Sequence, residues 1–467
     1  MSFKINLLLL PFLLAGCVSL DPQYQRPEAP VPKTWPTVGA KSQTQATSLL
    51  SGWQNTLGDP RLKAVVQQAL TSNRDLRKAI ADIEAARAQY GEEKSALFPS
   101  LTADLSTTRS RSLTQGQSTL SSSTEAEGTV SSFELDLFGK NRSLSRAARE
   151  SWLASQATAL NTRLTLVAET TEAWVTLATD KSNLQLAQET MRSAKASLET
   201  TQRRQAAGID AGTDVSDAMT VFQQARADVA SYITSVKQDS NALDLLAGGS
   251  VNPHLLPDGL DDLPPDTIAL VPAGVRSDLL LRRPDVLEAE HNLKSANADI
   301  GAARANFFPS ISLTASAGVG SSSLSSLFSH GVGVWSFAPD ISLPLFSGGA
   351  NMAALHYAEA EKKGLIASYE KAVQSAFKDV ANALARRDTL AEQLDAQQEY
   401  VKAAEKSLQI ADSQYRAGTG DYLSVLTARR TVYAARLTLM SLRQTDWNNR
   451  ITLWQSLGGG LDTSTLM

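Results

Sequence analysis

Four histidines, His254, His291, His330 and His356, are the residues best suited to ligate a metal or carry a proton near neutral pH. No two stand three or four positions apart, the spacing that turns two imidazoles onto one helical face, so no metal site is expected. The 48 acidic residues lie mostly in long Pro-free segments, where no spacing isolates an acid/base pair and the charges read as wet helical faces. No Gly-x-x-x-x-Gly-Lys-Ser/Thr loop is present to cradle a phosphate. No set of nucleophile, base and orienting group can be assembled either, so the chain reads as a non-enzyme without a cofactor. A net charge of -4 gives no basic surface for nucleic acid.

The sole cysteine, Cys17, excludes an intrachain disulfide and a cysteine-based metal site. Lys4 precedes an apolar run from Ile5 to Leu14, then Leu14-Ala15-Gly16-Cys17, the basic, apolar and small-residue parts of a secretory signal. The run is too short to cross a bilayer as a stable helix. A cysteine directly after Leu-Ala-Gly resembles a bacterial lipoprotein box, which implies cleavage after residue 16 and acylation of Cys17. Val18 stands where an aspartate would signal inner-membrane retention, so the outer membrane is the expected destination. Residues 17–58, with Pro22, Pro27, Pro30, Pro32 and Pro36, read as an extended, lipid-anchored tether.

The remainder is organised by a repeat. Subtracting 210 from Phe307-Phe308-Pro309-Ser310-Ile311 gives Leu97-Phe98-Pro99-Ser100-Leu101, and the match runs back to Asp285 over Asp75. Each copy, 59–249 and 284–460, reads as a helix, a β-hairpin (99–138 and 309–346) and a long helix pair (140–247 and 350–457). A linker of 250–283 separates them and a tail of 461–467 follows. Asp59-Pro60 has the form of an N-cap with proline in the first turn. Within the hairpins, Leu101 to about Leu113 and Val130 to Phe138 alternate, with a polar loop expected at 114–123. In the second hairpin Ile311, Leu313, Ala315, Ala317 and Val319 alternate, and a Ser-rich loop covers 321–326. Residues 140–207 and 350–417 each lack proline, which allows helices of about 100 Å at 1.5 Å per residue. Fourteen positions from 369 to 415 alternate steps of four and three, and only Arg387 and Gln397 among them are polar, which predicts a left-handed coiled coil. The return helix is expected to seat Leu423, Leu426, Tyr433, Leu437, Met440, Trp447, Ile451 and Trp454 against it.

Strands of ten to fifteen residues are long enough to cross a bilayer when tilted. Four cannot close, and an open edge in lipid leaves backbone groups without partners, so they must join strands of other copies. Three chains would give twelve strands and a ring of twelve helices. The fold class expected is therefore an α+β membrane protein: a trimeric, twelve-stranded transmembrane β-barrel continued by a long α-helical coiled-coil barrel, built from two repeats of about 210 residues. A soluble coiled-coil protein with two accessory hairpins is the alternative.

Leu135-Asp136-Leu137-Phe138-Gly139-Lys140, Arg282-Arg283-Pro284-Asp285-Val286, Gly301-Ala302-Ala303-Arg304 through Phe307-Phe308-Pro309-Ser310, and Tyr415-Arg416-Ala417-Gly418 resemble the TolC-like outer-membrane efflux channels. The similarity is to their acylated branch, which serves resistance-nodulation-division pumps, and covers essentially the whole mature chain. It implies a homotrimer in the outer membrane, a helical tunnel across the periplasm, a periplasmic adaptor and an inner-membrane pump that supplies the energy. Type I secretion and a non-channel adaptor lipoprotein are the competing readings. The resemblance further implies a gate at the helix tips, 208–217 and 415–427, with Asp214, Asp217, Tyr415, Arg416 and Asp421 as its polar residues and Asp214 paired with Tyr415 near Arg416. A plain N-cap role for Asp214 stands beside the gate role. Ser424 and Thr427 occupy positions where some members carry an acidic ring.

Overall fold

The computed structural model describes residues 19–32, 35, 52–114, 117–270 and 277–460. The apolar leader, Cys17, much of the tether and the tail 461–467 lie outside the described residues. Helices α1 (Gly52–Thr56), α2 (Pro60–Ser72) and α3 (Arg74–Ser95) lead into strands β1 (Leu101–Thr114) and β2 (Gln117–Glu134). The long pair α4 (Lys140–Ala206) and α5 (Gly212–Ala247) follows. The second copy supplies α6 (Pro284–Ala305), β3 (Ser310–Ser321), a short α7 (Leu327–His330), β4 (Val332–Ser342), α8 (Ala350–Arg416) and α9 (Tyr422–Ser456).

The hairpins differ from expectation in one respect. Thr114 and residues 117–123 are strand rather than loop: β1 and β2 pair from Leu101 opposite Val130 to Thr114 opposite Gln117. Hydroxyls bond across the ladder in two places, Ser110 Oγ with Ser121 Oγ at 2.7 Å and Thr107 with Thr124 at 3.1 Å. The strands end earlier than expected on their other sides, at Glu134 and Ser342. Beyond Glu134, Asp136 turns back to accept from the amides of Asn141 and Arg142, which caps the start of α4. The four strands form one antiparallel sheet in the order β1-β2-β3-β4, with β1 and β4 at its edges. Pro339, which cannot donate to a ladder, sits in the edge strand β4 opposite Leu313.

Two compact units can be distinguished, and neither coincides with a repeat. One contains the sheet: residues up to Ala29, Ala81–Ala157 and Leu287–Lys371. In it the segment from Ser19 is pinned as well as extended. Asp21 accepts from Ser143 Oγ at 2.6 Å and Arg146 Nε at 2.7 Å, and Asn297 donates to the Pro22 carbonyl. Arg26 forks onto Glu290 at 3.1 and 2.5 Å. Burial raises the Glu290 carboxyl, but Arg26 and Lys294 outweigh it and hold the group below its usual range. Gly301 lies inside α6, where glycine costs about 1 kcal/mol. A Cβ there would stand 1.8 Å from Asp21 Oδ1, so only glycine admits the strap.

The other unit comprises Pro30–Ile80, Thr158–Val286 and Ala372 onward. Asp59 caps α2 by accepting from Arg61 N at 2.8 Å, with Pro60 in the first turn. The linker after α5 packs Leu260 and Ile268 fully into the core, and Leu57 bridges to Ile268. Across α8 all fourteen heptad positions are buried or half-buried. Gln397, one of the two polar ones, donates to the Ala435 carbonyl at 2.9 Å. On α9 the expected seam holds except at Leu423, which is 64% exposed, because Tyr422, Val425 and Leu426 fill the core at that end.

Candidate functional site

Two features bear on function, the faces of the sheet and the tips of the helix pairs. The register sorts the strand residues by face. Leu101, Leu105, Val130, Phe133, Leu313, Trp335, Phe337 and Ile341 share one face. Asp104, Glu125, Glu127, Glu134 and Asp340 share the other with serine, threonine and glycine. Asp104 stands directly opposite Glu127. Like charges so placed are destabilising in a dry core and tolerable only in water. A sheet with an apolar face and a hydrated acidic face is a barrel wall between lipid and an aqueous lumen. Trp335 and Phe337, 79% and 61% exposed in one chain, belong to the lipid side.

At the tips, α4 turns at Gly208 into α5 and α8 turns at Gly418 into α9 through the same hydrogen-bond pattern. One buried cluster unites them: Leu198, Ala218, Tyr415, Tyr422, Val425 and Leu426. Above it lies a polar latch centred on Asp210, whose side chain is 5% exposed. Arg204 Nε donates to both of its oxygens at 3.0 Å, and Tyr415 OH donates to Oδ2 at 2.5 Å. The Arg204 guanidinium also stacks 4.7 Å above the Tyr415 ring. Burial and then the bond to Asp210 push the Tyr415 hydroxyl above its ordinary pKa, so it stays a donor at physiological pH. The latch joins the first helix pair, through α4 and its turn, to the second, through α8.

The expected pairing of Asp214 with Tyr415 is therefore corrected: the partner is Asp210. Asp214 instead accepts from the Ala211 amide at 3.2 Å, the backward half of a capping box at the start of α5. Asp421 supplies the forward half at α9, accepting from Ser424 N at 2.6 Å, and that bond lowers its pKa. Arg416 lies apart from the latch and pairs with Asp412 one helical turn away at 2.8 Å, a largely exposed bridge of little worth. Asp217 is half-buried and its side chain makes no hydrogen bond or ion pair among the described residues. Asp210 and Arg204 went unnamed in the sequence, although Asp210 is the only acidic residue in the turn Gly208-Ile209-Asp210-Ala211-Gly212. Of the histidines, His291 is hydrogen-bonded to Glu150 at 2.8 Å. No group of residues able to hold a metal occurs among the described residues.

Residues 65–249 and 275–459, spans that begin and end 210 residues apart, both match the outer membrane efflux protein family. The chain belongs to this family. It is 41% identical over 463 residues to the toluene efflux pump outer membrane protein TtgC of Pseudomonas putida, covering 98% of this chain and 95% of the relative. It is 37% identical over 465 residues to the outer membrane protein OprJ of Pseudomonas aeruginosa, covering 99% and 96%. Among solved structures, the open state of the MtrE outer membrane channel of Neisseria gonorrhoeae superposes with a TM-score of 0.85 at 38% identity, covering 95% of this chain and 99% of that one. A membrane protein from Pseudomonas aeruginosa gives a TM-score of 0.89 at 36% identity, covering 95% and 98%. The protein is accordingly an outer-membrane efflux channel component, not an enzyme.

Proposed function

We propose that three copies of this chain form a gated exit duct in the outer membrane, fed by a periplasmic adaptor and an inner-membrane resistance-nodulation-division pump. The observation that carries this is the four-stranded sheet, which has one apolar face, one acidic face and two unpaired edges. Joining β1 of one copy to β4 of the next removes every edge and yields twelve strands around water. The latch of Asp210, Tyr415 and Arg204 is the restraint that keeps the tips together, and releasing it lets the helix pairs part. Asp214 and Asp421 serve this gate indirectly, by fixing the first turns of α5 and α9. Cys17 is the acylation site, and the strap from Asp21 to Arg26 fixes the chain that follows it. The names of relatives in Pseudomonas putida, which refer to toluene, solvent and antibiotic efflux, support organic solvents and antibiotics as cargo.

The test is export in cells that lack their own duct but retain the cognate adaptor and pump. Expression of the full chain is expected to lower steady-state accumulation of a fluorescent pump substrate to the level of the intact strain. Trimers that reach the outer membrane and leave accumulation unchanged would overturn the proposal.

A further inference from the structure

The lipid-side face of the sheet carries two charges among its described strand residues, and both are basic. Arg109 and Arg111 share that face with Leu101 and Leu105, opposite Ser122 and Leu120, while every carboxylate of the strands is on the other face. Neither guanidinium has a hydrogen-bond or ion-pair partner among the described residues. An outward arginine at the bilayer midplane costs about 2 to 4 kcal/mol, and near the interface about 0 to 1. Height therefore decides whether the pair is tolerable.

β3 has 12 residues. At about 3.3 Å per residue and a tilt of about 40° it rises about 30 Å, the thickness of the hydrocarbon core. Its last residue, Ser321, pairs with Thr124, which pairs in turn with Thr107. The β1–β2 hairpin continues past that pairing, by two residues to Arg109 and four to Arg111, which places both side chains at or above the outer edge of the hydrocarbon, within reach of the headgroup layer. Beneath them is an apolar shelf. The short helix α7 folds onto the same face: a Cβ on Gly331 would meet the Leu327 carbonyl at 2.0 Å and Val319 Cβ at 3.5 Å. Leu327 is buried there, and Phe328 and Leu324 remain 82% and 57% exposed.

We propose that Arg109 and Arg111 bind the phosphate of an outer-leaflet lipid whose acyl chains lie along Leu324 and Phe328. A guanidinium matches a phosphate as a planar, two-pronged donor, and two of them two residues apart on one strand face converge on one headgroup. This rests on the barrel reading of the sheet. The test is native mass spectrometry of detergent-purified trimers titrated with phosphorylated lipid A, with the same lipid after removal of its phosphates, and with inorganic phosphate. Wild type is expected to prefer the phosphorylated lipid at least about tenfold, roughly one charge-assisted contact. Arg109→Gln with Arg111→Gln should abolish that preference while leaving trimers and single-channel conductance intact, and the double lysine variant should keep part of it. Equal retention of both lipids by wild type, or by wild type and the glutamine variant alike, would overturn the proposal. So would displacement of the lipid by inorganic phosphate, which would mark a free-anion site. Loss of trimers from wild type would instead strike at the barrel.

Discussion

Asp210 and Asp214 are four residues apart and do different work. The first is almost wholly enclosed and accepts from two other side chains; the second is half-exposed and bonds a backbone amide of its own helix end. A hydroxyl-to-carboxylate bond such as that from Tyr415 is worth about 1.5 to 3 kcal/mol. Removing its acceptor should therefore matter more to the tips than removing a cap, typically worth about 1 kcal/mol. A third carboxylate is dominated by burial. Asp239 of α5 is pushed up from 3.8 to about 6, chiefly by burial and then by Asp180 of α4. Folding thus favours its protonated form. The stability linked to it is present below about 3.8 and is lost as pH rises through about 6. Asp239→Asn should raise the melting temperature at pH 7.5 and flatten its fall between pH 4 and 7. Parallel pH profiles for variant and wild type would refute this.

At the scale of elements, the acidic face of the sheet has an electrical consequence. Asp104, Glu125 and Glu127 recur three times around the proposed lumen, so potassium should pass more readily than chloride. The reversal potential of trimers in a planar bilayer under a KCl gradient measures this. Asp104→Asn with Glu125→Gln and Glu127→Gln is expected to move it towards zero, and an unmoved potential would place the selectivity elsewhere. The long helices were legible because missing prolines and a seven-residue repeat are local signals that burial then obeyed. Residues 117–123 look like loop because serine and threonine carry no strand signal until a partner strand supplies hydrogen bonds, as Ser110 does for Ser121. The exposure of Leu423 and the choice of Asp210 over Asp214 depend on how two helix pairs meet, and neighbours along the chain carry no record of that. The strap was legible as extended chain, but its hold on Asp21 required Gly301, 280 residues away, to be seen beside it.

For the whole molecule, duplication supplies two hairpins per chain and one antiparallel sheet that cannot finish itself. The open edges of β1 and β4 and the joined tips make opposite demands. The sheet needs neighbouring copies to close, whereas the tips must be able to part. A channel whose barrel is permanent and whose helical end is switchable satisfies both, and the proposed gate sets that switch at the latch. Single-channel conductance of purified trimers in planar bilayers tests this most directly. Wild type should show small, infrequent openings. Asp210→Asn combined with Tyr415→Phe should raise mean conductance about tenfold or more, the factor set by losing about 1.5 kcal/mol, and Asp214→Ala should leave it close to wild type. A double variant indistinguishable from wild type at every voltage, or an Asp214→Ala channel that opens as widely, would contradict the gate assigned to Asp210.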